Sequence, residues 1–263
     1  MTESDESYFV RAGEHRFRPT DWAGGAWSPT EQHISPMVGL VVHEIERDAA
    51  ARRGDGLRVG RITADILGVI ALEEFGLEVS VVRPGRTIEL VEAVVTAAGR
   101  PAVRVRAWLL AATDTRAVAG GQPDALASPD GLGSWPLTSV WPGGYIASLD
   151  VRPLAEPAQG RAAAWVTTHL ELLAGEPTSE LARYVALVDT ANGIAVRESP
   201  KTWMFPNVDL SVHLFRQPRG LWVGLDTTVV FGEDGCGLTS TVLHDQEGPV
   251  GQAAQVLTIR PLG

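Results

Sequence analysis

The chain has 263 residues, 44% of them hydrophobic, a formal net charge of −10 and a single cysteine, Cys236. That is apolar material for one large domain or two of ordinary size, with too little positive charge for a general nucleic-acid binder and too few cysteines for an internal disulfide framework or a cysteine-rich zinc site. No apolar run approaches the roughly 18 residues a membrane helix needs, and the acidic opening MTESDESYFV lacks the basic-then-apolar layout of a secretory leader, so a cytoplasmic protein is expected.

Residues 1–7 carry no pattern and are expected to be disordered. Tyr8 to Phe17 alternates loosely and predicts a strand. The Gly-, Pro- and Trp-rich loop from Arg18 to Pro29 leads to Ser35-Pro36, which reads as an N-cap with proline in the first helical position. Met37, Leu40, Val41 and Ile45 then recur at helical spacing, and the helix runs out through Arg52, Arg53 and Gly54. Apolar or β-branched runs follow over 57–67, 75–85, 86–99 and 100–113, punctuated by Gly and Pro-Gly, and predict an antiparallel meander. Residues 114–143 are rich in Gly, Pro, Ser and Asp without sustained period and read as a linker. The same order then returns: strands at Tyr145–Arg152 and Arg161–Leu170, a helix from Thr178, and four alternating runs beginning near 207, 220, 235 and 249.

Overlaid, Thr63-Ala64-Asp65-Ile66 matches Asn207-Val208-Asp209-Leu210, and RPAVRVRAWLLA matches GPVGQAAQVLTI. Strand, long helix and meander occurring twice indicate an internal duplication. The large partner open to each helix stripe is its own sheet. The expected fold is therefore α+β, a double hotdog: an N-terminal unit over 8–113, the linker over 114–143 and a C-terminal unit over 144–263, each a long central helix wrapped by a curved antiparallel sheet. Joining the two sheets edge to edge would cover an otherwise open strand.

Asp189 departs from the apolar pattern of the second helix, where an ordinary core helix would place Leu or Ala. Burying an ionised carboxyl without partners costs several kcal/mol, so the residue either faces solvent or has a function. Val185 at i−4 leans toward the buried side. Desolvation there would raise its pKa and suit it to act as a base.

Taken in order, several segments resemble the acyl-CoA thioesterase II family and its bacterial thioesterase-like relatives. They are Gly25-Ala26-Trp27 to Gln32-His33, Arg83-Pro84-Gly85-Arg86, Asp189, Trp203 to Arg216, Gly220-Leu221-Trp222-Val223, Asp245-Gln246-Glu247-Gly248 and Gly251-Gln252-Ala253-Ala254-Gln255. The resemblance runs from about Tyr8 to Pro261 and implies hydrolysis of an acyl thioester, CoA- or carrier-linked, by direct attack of water with no cofactor. It implies a helix Asp, a strand Thr or Ser and a last-strand Gln as the water-activating set. Here these positions fall on Asp189, Asn207 and Gln255, so an amide stands where a hydroxyl is expected. Asn can still orient a water, with one acceptor and two donors. Helix N-terminal amides would take the oxyanion.

The resemblance further places His33 in the substrate pocket, with a capping or loop role as the other reading. Trp27, Trp135, Trp141 and Trp203 could line an acyl slot or cover a sheet edge, and Arg83, Arg86, Arg216 and Arg219 could reach a CoA phosphate or stay solvated. A non-hydrolysing acyl-binding module is the alternative function, motivated by Asn207. A hydratase built on Asp209 and His213 is disfavoured, because i and i+4 on a strand lie roughly 13 Å apart. The six histidines are scattered without paired spacing, so no metal is expected. Nor is a nucleic-acid or membrane partner, while self-association into a homo-oligomer is common in such folds.

Overall fold

The first helix begins earlier than its proline suggests. In the computed structural model, which describes residues 6–54 and 56–262, helix α1 spans Ile34–Arg52. Its N-cap is His33, whose Nδ1 accepts the Ser35 N–H at 3.1 Å, so the imidazole does the capping expected of Ser35. Every residue from Ile34 to Ile45 is buried.

Strands β1 (Ser7–Gly13) and β2 (Arg16–Pro19) precede α1, and β3 (Arg58–Ile66), β4 (Phe75–Arg83), β5 (Ile88–Ala97) and β6 (Arg100–Leu110) follow it. The second half contains α2 (Gly144–Ala147), β7 (Leu149–Pro153), β8 (Arg161–Thr168), β9 (Glu171–Leu173), α3 (Glu180–Val188) and α4 (Ala191–Ile194). It closes with β10 (Trp203–Met204), β11 (Asp209–Leu214), β12 (Val223–Phe231), β13 (Cys236–Asp245), β14 (Gly248–Thr258) and β15 (Arg260–Pro261).

Four expectations need correcting. Of the residues expected to be disordered, 1–5 lie outside the described residues, and Ser7 already belongs to β1. The single strand over Tyr8–Phe17 is a hairpin, turning between Gly13 and Arg16. Tyr145 is in the short helix α2 rather than in a strand, which starts at Leu149. The two helices are also unequal. α1 has 19 residues but α3 only 9, because Thr190, Asn192 and Gly193 are weak helix formers and the chain turns at Asp189 before α4.

Among the described residues, thirteen strands form one sheet in the order β7-β8-β12-β13-β14-β11-β3-β6-β5-β4-β2-β1-β9, a series that reads nearly alike from either side of the β11–β3 junction. The two meanders are related by a constant displacement of 148 residues, from 75 to 223, from 88 to 236 and from 100 to 248. Under that displacement Thr63 answers to Ser211, and these two residues pair directly across β3 and β11. A local two-fold axis therefore passes between them. The sequence overlay of Thr63 on Asn207 is four residues out of register. A slip by an even number keeps every apolar side chain on its proper face, so alternation alone cannot detect it.

Inside the sheet α1 and α3 pack against each other with opposite chain directions. A Cβ added to Gly39 would stand 2.5 Å from the Ala186 Cβ and 2.8 Å from the Ala182 carbonyl oxygen. Glu46, late in α1, bonds the α3 N-cap Ser179, and the α1 N-cap His33 meets Asp189 at the α3 C-terminus. Small residues at the crossing set how near these ends come. Gly39→Ala is expected to destabilise the protein by about 1–3 kcal/mol through overpacking against backbone, although alanine is the better helix former. A thermal melt should register this as a fall of roughly 3–10 °C.

Candidate active site

Asp189 caps the C-terminus of α3, and only 5% of its surface is exposed. Two amide side chains converge on its Oδ1: Asn207 Nδ2 at 2.7 Å, from the approach to β11, and Gln255 Nε2 at 2.7 Å, from β14. Asn207 gives its other hydrogen to the Asp209 carbonyl at 3.0 Å. Oδ2 accepts no hydrogen bond among the described residues and is not fully sealed from the surroundings. Burial pushes the Asp189 carboxyl up to about 7; the two amide bonds oppose that rise, and the nearby Asp209 charge adds to it. The negative end of the α3 dipole also disfavours ionisation here.

His33 Nδ1 stands 3.9 Å from Asp189 Oδ2, but the contact is not an ion pair. Nδ1 already accepts the Ser35 N–H, which puts the ring proton on Nε2. Burial holds the His33 pKa at about 3, so the ring is neutral. It stacks on Tyr145, with centroids 4.2 Å apart. Tyr145 is itself pinned, its hydroxyl 2.6 Å from Thr190 Oγ1 and donating to the Ala186 carbonyl at 3.2 Å. One buried phenol therefore orients both the histidine and the turn that carries Asp189.

These groups border a cavity of about 290 Å³ whose wall includes Trp27, His33, Ile34, Ile66, Ile70, Trp141, Ile146, Asp189, Asn192 and Asn207. Trp27 is edge-on to Trp141 at 4.8 Å and to Phe205 at 5.2 Å. Ile34, the first residue of α1, has a backbone N–H without a hydrogen-bond partner among the described residues. Asp189, Asn207, Gln255, His33 and Trp27 are thus brought together.

Arg83 and Arg216 are not. Arg83 donates to the Ile88 carbonyl at 3.0 Å and lies over Trp108, away from the cavity wall. Arg216 grips Asp245 with two hydrogen bonds, at 2.6 and 2.5 Å, and donates to the Gly248 and Pro249 carbonyls. With its donors committed to the fold, it has none turned to a substrate. Tyr145, Thr190 and Asn192 escaped the sequence reading. The glycine pair before Tyr145 signals a turn, but its partnership with His33 depends on packing across the whole chain. Cys236 is exposed at the start of β13. Among the described residues, no three His, Cys, Asp or Glu side chains group as metal ligands, and no helix is long and apolar enough to cross a membrane.

The acyl-CoA thioesterase C-terminal domain model matches residues 123–259, and the N-terminal domain model matches residues 23–110. No curated protein sequence matches the chain. Among solved structures, it is similar to an acyl-CoA thioesterase II, TesB2, from Mycobacterium marinum, with 16% identity over 100% of this chain and 98% of that one and a TM-score of 0.69. A tesB protein from Mycobacterium avium subs paratuberculosis gives 14% identity, 98% coverage of both chains and a TM-score of 0.67. A conserved protein of unknown function from Alicyclobacillus acidocaldarius, described as having a hot dog fold, gives 12% identity, full coverage of both chains and a TM-score of 0.74. At these identities the structural likeness speaks to the fold: an α+β hotdog protein with one large curved sheet.

The pKa of Asp189 has a consequence for stability. An unfolded Asp titrates near ~3.9, whereas the folded value is about 7, so between these pH values the folded state binds more protons than the unfolded. Stability from this group is full below the unfolded value and is lost as pH rises through about 7. Asp189→Asn keeps an Oδ1 acceptor for both amides and removes the titration. The variant should be more stable than wild type at pH 8, by a few kcal/mol at most on an order-of-magnitude basis, and the gap should close toward pH 4. Urea unfolding of both proteins across that range checks this, because all other titrating groups are common to the pair.

Proposed function

The chain belongs to the acyl-CoA thioesterase family, and from that premise we propose that it hydrolyses an acyl-CoA thioester with Asp189 as general base. The observation that carries this reading is a buried carboxylate with a pKa of about 7, held by Asn207 and Gln255 in the wall of an apolar cavity. Asp189 Oδ2 takes a proton from water, and the resulting hydroxide attacks the thioester carbonyl carbon. The carbonyl π electrons move to oxygen, and the oxyanion is received at the N-terminus of α1, where the Ile34 N–H and the positive end of the helix dipole are available. Collapse breaks the carbon–sulfur bond, and the CoA thiolate takes the proton back from Asp189. One water is consumed, and a carboxylic acid and a thiol are released.

In this reading Asn207 and Gln255 position the carboxylate and its water, while neutral His33 and Trp27 contact the substrate. Arg83 and Arg216 have no part. The chain is divided into an N-terminal hotdog over 8–113, a connecting segment over 114–143 and a C-terminal hotdog over 144–263. The second reading, an acyl-binding module without turnover, is favoured by the amide at Asn207 where family members carry a hydroxyl.

Free-thiol release from acyl-CoAs of several chain lengths tests the proposal. Hydrolysis should appear and climb with pH as Asp189 loses its proton near 7. Asp189→Asn should reduce kcat by about 10²–10⁴-fold. Asn207→Ala and Gln255→Ala should each reduce it by about 10–100-fold, the worth of a hydrogen bond to a charged group. Full activity in Asp189→Asn would remove the mechanism, and binding of acyl-CoA without turnover would favour the second reading.

A further inference from the structure

Behind one wall of the site lies a second cleft, of about 410 Å³, lined in part by Trp135, Val140, Ile194 and Val196. The two are lined by adjacent residues of the same two segments. Trp141 and Gly193 line the site cavity, while their chain neighbours Val140 and Ile194 line the cleft. The Trp141 indole N–H donates to the Gly193 carbonyl at 3.0 Å and so closes the gap between the two segments. The ring is 3% exposed and braced edge-on by Trp27 at 4.8 Å and Phe205 at 5.7 Å. A side chain tied at its nitrogen and packed on its faces does not swing aside readily.

Resting on the thioesterase reading above, we propose that Trp141 is a partition that sets acyl-chain length. The site cavity of about 290 Å³ holds on the order of ten water-sized units at ~30 Å³ each, and the thioester with the first atoms of the pantetheine arm occupies several of them. What is left accommodates short acyl groups, of about eight carbons or fewer on the same volume basis. A longer chain meets the indole. Beyond the indole is a cleft of mixed lining, with Ser139, Gln159, Ser199 and Lys201 beside its apolar residues, whose volume of about 410 Å³ is large enough for the rest of a fatty chain, so the length limit resides in one side chain rather than in the depth of the fold.

The test uses non-hydrolysable S-alkyl-CoA thioethers of four, eight, twelve and sixteen carbons, measured by calorimetry alongside kcat/KM for the matching acyl-CoAs. In the wild type, binding should tighten from four to eight carbons and then level off or weaken. Trp141→Ala should strengthen binding of the twelve- and sixteen-carbon ethers at least tenfold relative to the four-carbon one. Trp141→Phe, which keeps a ring in the gap, should retain the wild-type profile. Trp141→Leu serves as the second opening variant if the alanine form does not fold. Wild-type affinity that keeps rising to sixteen carbons, or an unchanged profile in a folded opening variant, would overturn the partition while leaving the hydrolase reading intact. Turnover without chain-length selection would do the same. No binding and no turnover at any length would overturn both.

Discussion

The close crossing of α1 and α3 is the constraint on which the site depends. One sheet wraps both helices, and their separation is set at Gly39, where any Cβ would run into Ala186 and the Ala182 carbonyl. The helices run in opposite directions, so the close approach at Gly39, early in α1, also brings the start of α1 to the end of α3. A positive dipole end and a negative one then meet at a single place. On the negative end stands Asp189, hard to ionise and so near neutrality in its pKa. On the positive end are the capped His33 and the uncommitted Ile34 amide. A buried carboxyl and a helix N-terminus meeting at one place, with His33 Nδ1 3.9 Å from Asp189 Oδ2, follow from the packing rather than from any local motif.

A two-fold duplication ought to generate this juxtaposition twice, and it does so only in outline. At the far end of the pair, Glu46 of α1 bonds Ser179, the N-cap of α3. The supporting amides are missing there. The residue 148 positions before Gln255 is Ala107, and 148 before Asn207 is Val59; both are buried and apolar. A carboxylate at that end would lack the donors that hold Asp189. Duplication supplied the frame, and divergence at a few inward-facing strand positions left one end equipped.

Much of the frame is legible in the chain because it rests on short-range patterns. Helix α1 is visible in the spacing of Met37, Leu40, Val41 and Ile45, and the meanders in period-2 runs cut by glycine and proline. Asp189 stands out as a carboxylate among apolar neighbours, and the family resemblance singles out Asn207 and Gln255. What is not legible requires long-range geometry. The register between the copies is invisible to alternation, and the duplication signal alone places Thr63 on Asn207 instead of Ser211. The commitment of Arg216 to Asp245 depends on a partner 29 residues away. Tyr145 touches His33 and Thr190 only because segments far apart in sequence are folded together. An arginine beside a turn reads the same whether it faces a phosphate or a buried aspartate; the pairing decides.

The amide at position 207 can be judged on hydrogen-bond capacity. A hydroxyl has one hydrogen to give, so in supporting a carboxylate it keeps only its lone pairs for anything else. Asn207 has two hydrogens, and both are spent, one on Asp189 and one on the Asp209 carbonyl. What remains is its own carbonyl oxygen, also an acceptor. A water giving one hydrogen to Asp189 Oδ2 needs an acceptor for the other if it is to be held with a lone pair facing the substrate. In the proposed mechanism Asn207 supplies that acceptor through its carbonyl oxygen, on a planar group anchored at two points. The amides of Asn207 and Gln255 thus act together as a clamp on a single carboxylate oxygen of Asp189, and the other oxygen accepts no hydrogen bond among the described residues.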